Sequence, residues 1–178
     1  MIDARHYAVR DTLRNGLEVL IRALRPDDGE RIAEAFSKLD KESIHTRFFG
    51  PKARLTEADY RNIRELDFDT RVGLVVTMIE GGREIIIASA SYSRFAPDAA
   101  EVAFIVEEDY HGLGIAGRLL DHLGRIARER GLVRFEAEVL PYNTAMLKVF
   151  AASRWPMTRR SEDGAIHITL ALGSVASA

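Results

Sequence analysis

Cysteine is missing altogether from the 178 residues. That excludes disulfides, cysteine-ligated zinc and any thiol nucleophile, and it fits a reducing compartment. Long apolar runs are missing too. No stretch approaches the roughly 20 residues that a membrane-crossing helix needs, and the opening Met-Ile-Asp-Ala-Arg-His lacks the apolar core of a secretory signal. A cytoplasmic protein is therefore expected, with no membrane partner. An excess of either charge is also absent: 25 Lys+Arg stand against 27 Asp+Glu, a net charge of −2. No global basic field recruits nucleic acid. What remains is a chain that is 47% hydrophobic and 29% charged, which describes a soluble globular protein with one full core.

Periodicity and turn chemistry give the order of elements. Tyr7–Leu13 and Leu17–Leu24 flank Asn15-Gly16, a hairpin signal. Pro26-Asp27-Asp28 opens a helix with Ile32, Ala33, Phe36 and Leu39 as its stripe. Ser43–Phe49 is expected to form a short helix, and Thr56 with Asp59 in the capping-box position starts another. Val72–Ile79, Gly81-Gly82 and Glu84–Ser93 form a second hairpin, followed by a strand at Ala100–Val106. Gly114–Arg130 is amphipathic, Arg134–Val139 is a strand, and Asn143–Ala152 is a helix. Met157–Glu162 and Ala165–Leu172, joined at Asp163-Gly164, close the chain as a hairpin. There is no internal repeat and no linker that separates two domains.

The most informative stretch is Val106–Gly117, a glycine-rich link from strand to helix. Such a link presents backbone N–H groups at a helix N-terminus, an anion site suited to nucleotide phosphates. Gly112-Leu-Gly114-Ile-Ala-Gly117 also matches the dinucleotide fingerprint G-x-G-x-x-G, with Glu136 and Glu138 downstream as ribose-binding acids. Two features oppose that reading. Glu107–His111 intervene between strand and first glycine, where a dinucleotide fold turns tightly. The residues after Val139 also hold one helix and a hairpin rather than further βαβ units.

His111-Gly-Leu-Gly114-Ile-Ala116 resembles the cofactor motif Q/R-x-x-G-x-G/A of the GNAT N-acetyltransferase superfamily, with histidine at the first position. Asn143-Thr-Ala-Met146-Leu-Lys-Val-Phe150 resembles the family's later Asn-x-x-Ala-x-x-x-Tyr, with phenylalanine for the tyrosine. The element order is similar too, over roughly Leu17 to Leu172. Ile21–Asp28 and Ser43–Gly50 further resemble bacterial protein-lysine acetyltransferases. The resemblance implies an α/β fold: a single GNAT-like domain with a mixed, mostly antiparallel twisted sheet flanked by helices. Residues 1–16 would be the first strand of a hairpin, 17–172 the acetyltransferase domain and 173–178 a tail.

The resemblance also implies acetyl-CoA as co-substrate, and no metal. Its pyrophosphate would meet His111, Gly112, Leu113, Gly114, Ile115, Ala116 and Gly117. Its pantetheine arm would lie in a gap where a bulged strand splays from the next one. There it would bond backbone groups of Phe104, Ile105 and Val106, with Asn143 at the mouth. The acceptor is an amine, a protein lysine or a small molecule. A lysine-type amine has a pKa near 10.4 and must lose a proton before it attacks, so a general base is useful. Glu101 resembles the family's catalytic glutamate; a solvated strand-end glutamate is its plain alternative. Glu136 and Glu138 are weaker candidates. The leaving thiol, with a pKa near 8.5, needs little protonation. Phe150 puts the usual acid in doubt and leaves Tyr92 and Tyr142 as spare hydroxyls. A non-catalytic acyl-CoA-binding regulatory module is the rival reading. The oligomeric state stays open, with a homodimer among the choices.

Overall fold

The computed structural model describes residues 1–39, 44 and 54–173. The helix expected at Ser43–Phe49 lies outside the described residues except for Ile44, as does nearly all of the tail. In chain order the elements are β1 (Ala8–Thr12), β2 (Glu18–Ala23), α1 (Gly29–Ser37), α2 (Glu57–Arg64), β3 (Arg71–Glu80), β4 (Arg83–Ala96), β5 (Ala99–Val106), α3 (Ile115–Glu129), β6 (Arg134–Val139), α4 (Thr144–Ala152), β7 (Met157–Glu162) and β8 (Ala165–Ala171). Short 3₁₀ turns lead into α1 at Pro26–Asp28 and follow β5 at Glu108–Tyr110.

The strands form one eight-stranded sheet in the order β1-β2-β3-β4-β5-β6-β8-β7. Every neighbouring pair is antiparallel except β5 and β6. The chain crosses from one to the other through α3, and a parallel pair requires such a crossover. Helix α3 carries the densest apolar stripe, with Ile115, Leu119, Leu120, Leu123, Ile126 and Ala127 all buried against the sheet. At the start of α2 the predicted capping box is present. Thr56 Oγ1 accepts from the Asp59 N–H at 3.2 Å, and Asp59 accepts from the Thr56 N–H at 2.7 Å.

The segment Ala88-Ser-Ala-Ser-Tyr-Ser93 of β4 alternates cleanly. Ala88, Ala90 and Tyr92 are buried in the core, and Ser89, Ser91 and Ser93 turn to the opposite face. No helix among the described residues is long and apolar enough to cross a membrane.

Candidate active site

The parallel ladder between β5 and β6 is only three residues long: Ala99↔Arg134, Ala100↔Phe135 and Glu101↔Glu136. Beyond Glu101 each strand keeps its other partner. β5 stays on β4 as far as Ala88↔Val106, and β6 stays on β8 as far as Val139↔Ile166. The two backbones therefore part, and a cleft of about 1340 Å³ opens between them. The splay is as expected, but the bulge is not in β5. Its register against β4 is regular from Arg94↔Ala100 onward, and the irregularity falls between Arg94 and Ala96 in β4.

The regular register decides which backbone groups face the cleft. The Glu107 N–H donates to Ile87 O at 2.9 Å. Alternate residues of an antiparallel strand bond to the same neighbour, so Ile105, Ala103 and Glu101 also spend their main-chain groups on β4. Val102, Phe104 and Val106 turn theirs to the opened edge. Phe104 and Val106 thus turn backbone groups to the cleft. Ile105 does not, and lines the cleft with its side chain instead.

Past the strand end, Gly112 and Gly114 adopt left-handed φ values of 78° and 82°, a region that costs residues with a Cβ. At Gly114 a Cβ would also stand 2.7 Å from Arg118 Nη1. The Arg118 N–H bonds Gly114 O at 3.2 Å, so the N–H groups of Ile115, Ala116 and Gly117 precede the first helical bond, and among the described residues no side chain caps them. These donors form an anion cradle at the positive end of a fifteen-residue helix. His111, Gly112, Gly114, Ile115, Ala116 and Gly117 all line the cleft. Leu113 does not. It packs against the core, and its carbonyl accepts from Arg118 Nη1 at 3.1 Å. His111 has a defined role: Nε2 lies 2.8 Å from Val106 O, so with the proton on that nitrogen it donates to the strand end and pins the loop to it.

Sequence reasoning missed the cationic rim. Arg10, Arg14, Arg118, Arg125, Lys148 and Arg154 all border the cleft. Arg118 is held by Asp11 at 2.7 Å, and Arg14 Nη1 reaches to 3.5 Å from Gly112 O. The tip of the first hairpin thus stands beside the glycine loop, about a hundred residues away along the chain. Asp11 pairs with Arg118, and Asp121 pairs with Arg125 and Arg154, so the rim is a cluster of cations partly held by acids, and no residue count reveals it.

The acidic candidates separate. Glu101 is exposed and lines the cleft where the strands part. Glu136, its parallel neighbour, is engaged by His167 Nε2 at 3.3 Å. Glu138 is exposed at the cleft wall. Asn143 lines the cleft and caps α4, its Oδ1 accepting from the Met146 N–H at 3.3 Å. Phe150 is buried and meets Phe104 edge-on, with ring centroids 5.9 Å apart.

The spare hydroxyls fare differently. Tyr92 is fully buried against Phe135 and absent from the cleft wall. Burial pushes its phenol up to about 12, and the side chain packs away from the cleft. Tyr142 is also absent from the lining, whereas Tyr110 is part of it. Burial raises the Tyr110 phenol above its ordinary value.

Comparison with known proteins fits this geometry. The sequence profile of the acetyltransferase (GNAT) family matches residues 39–153. The acetyltransferase Pat of Mycolicibacterium smegmatis is 34% identical over 139 residues, covering 77% of this chain and 41% of that protein. The chain thus spans less than half the length of that relative. The crystal structure of the GNAT domain of S. lividans PAT superposes with a TM-score of 0.83 at 37% identity, covering 91% of this chain and 95% of that one. The acetyl-CoA complex of yncA, a putative acetyltransferase from Salmonella typhimurium, shares the fold at a TM-score of 0.70 and 18% identity, over 89% of this chain and 96% of that one. The chain belongs to the GNAT acetyltransferase family.

Proposed function

We propose that this chain transfers the acetyl group of acetyl-CoA to an amine by direct attack within a ternary complex. The observation that carries the reading is the opening of the β5–β6 pair immediately after Glu101, beside the uncapped N-terminus of α3. Bound acetyl-CoA supplies an activated thioester. The residues present fit it: the free N–H groups of Ile115, Ala116 and Gly117 and the rim of Arg14 and Arg118 suit phosphates. The cleft-facing main-chain groups of Phe104 suit a pantetheine amide. The N–H of Phe104 or Val106 would steady negative charge developing on the carbonyl oxygen.

Glu101 accepts the proton of the acceptor amine, directly or through water, because its carboxylate stands at the head of the cleft. Phe150 places a ring where a hydroxyl acid would stand, so the departing thiolate leaves without help from that position. The acceptor is the amine of a protein lysine or of a small molecule. The absence of a hydroxyl at Phe150 is also the one observation that favours the rival, an acyl-CoA-binding module without turnover.

Release of free CoA in the presence of an amine panel separates the two. We expect turnover with at least one amine. Glu101→Gln should lower kcat by about a hundredfold or more, the usual size of a general-base contribution, with little change in acetyl-CoA affinity and with loss of the rising limb of the pH profile. Tight acetyl-CoA binding without release against any amine would establish the binding module instead.

A further inference from the structure

A second cavity lies on the other face of the sheet, under α1 and α2, with a volume of about 290 Å³. Its walls are mostly apolar: Ile32, Phe36, Ile63 and Leu66 come from or near the two helices, while Asp59, Asn62 and Arg71 line it as well. Its floor is the polar face of β4, with Ser89 and Ser91. Ala103 and Ile105 border this cavity and the cofactor cleft alike. The two spaces therefore meet across β5.

Glu107 also lines this cavity. It sits six residues beyond Glu101 on the same strand face, since the ladder runs on through the Glu107 N–H. The side chain is only 7% exposed, and its Oε2 is buried without a hydrogen-bond partner among the described residues. A buried carboxylate without a partner is costly. Burial raises its pKa, and Asp109, Glu80 and Glu34 push the same way against Lys38. The proposed transfer reaction makes no use of this group.

We propose that Glu107 and the serine floor receive a cationic group of the acceptor other than the reacting amine: an ammonium at the end of a slender aliphatic arm. The apolar walls take the methylenes, and the carboxylate with the serine hydroxyls takes the charged tip. Six residues of strand separate the two glutamates by roughly 20 Å of backbone, so one nitrogen cannot occupy both. A dication can occupy Glu107 while its other amine approaches the β5 edge. A polyamine and a peptide with a second lysine share this chemistry. This inference rests on the amine-acetyltransferase reading.

The test compares 1,5-diaminopentane and spermidine with n-pentylamine, and a capped two-lysine peptide with its one-lysine counterpart. In the wild type the dication of at least one series should exceed its monocation in kcat/KM by about tenfold or more, through KM, as a charge-assisted contact allows. Glu107→Gln should collapse that ratio towards one. Glu101→Gln should lower kcat and keep it. Preference within the peptide pair alone assigns the arm to a protein acceptor, and preference among the small amines assigns it to a polyamine. A wild-type ratio near one, or a ratio that survives Glu107→Gln, overturns the proposal. Calorimetric titration with spermidine and with the two-lysine peptide reads the site without turnover. Glu107-dependent binding with no acetyl transfer keeps the site and sinks the transfer reading. Transfer without Glu107 dependence does the reverse.

Discussion

Gly114 carries two constraints at once: a left-handed φ of 82° and a space already taken by the Arg118 guanidinium. Gly114→Val should therefore abolish acetyl-CoA binding while the rest of the sheet still folds, because strain and displacement both fall on the anion cradle. Equilibrium binding together with circular dichroism checks this, and micromolar affinity in the variant would show that the loop does not approach the phosphates. Glu107 makes the opposite kind of statement. Its carboxyl pKa is raised, so the folded state binds its proton more tightly than the unfolded state does. Its ionisation destabilises the fold as pH rises above the ordinary 4.5. Glu107→Gln should be more stable than wild type at pH 7 in urea titrations, with the difference shrinking towards pH 4.

Helix α3 shows how an element's sequence can mislead. Gly124 in a helix interior looks like a defect that alanine would repair by about 1 kcal/mol. In the fold it is the slot for Trp155, whose ring atoms would lie 2.5 Å from an added Cβ. The ring is held between Arg128 and Arg154, with guanidinium-to-centroid distances of 6.0 and 5.1 Å. Gly124→Ala should thus lower the melting temperature, and a scan that showed a rise would mean that the ring shifts freely. The hydrophobic stripe of α3 was plain from its period, and so was the hairpin at Asn15-Gly16. What no period shows is that this hairpin's Asp11 holds Arg118 on α3, because the pairing depends on strand order across the whole sheet.

At the scale of the whole molecule, stability and cofactor linkage each give a prediction. Arg22, fully buried on β2, makes a two-pronged pair with Asp28 at 2.8 and 2.9 Å and a second contact with Glu84 at 3.1 Å. Burial pushes the Asp28 carboxyl up, but hydrogen bonds from Arg22 and the Arg25 N–H outweigh it and leave it below its ordinary 3.8. The Arg22 bonds lower Glu84 likewise from 4.5. These groups contribute stability that is complete above the ordinary carboxylate values and is lost as pH falls through their lowered folded-state values. Urea midpoints should accordingly drop on the acid side of pH 4. Arg22→Met should cost about 3–5 kcal/mol by stranding Asp28. Acetyl-CoA should raise the melting temperature by binding the folded state alone, and NAD should leave it unchanged. Equal stabilisation by NAD would restore the dinucleotide reading of the glycine loop.

Local physics made much of this protein legible in one dimension. Glycines at 112 and 114, an asparagine cap at 143, alternating strands and one amphipathic helix are short-range facts, and they sufficed for the family resemblance and the element order. The line of cleft residues along β5 and the glycine loop followed from them, except that Leu113 turns to the core and Ile105 turns its backbone to β4. The rest depended on register and on contacts remote in sequence. Only the tertiary structure ended the β5–β6 ladder at Glu101, since each strand's loyalty to its outer partner is a property of the assembled sheet. It alone gathered arginines from β1, α3 and the segment after α4 into one rim, and it alone buried Tyr92 and left Glu107 Oε2 without a hydrogen-bond partner among the described residues. Side-chain period is local, whereas burial and electrostatic partnership belong to whatever the fold brings near.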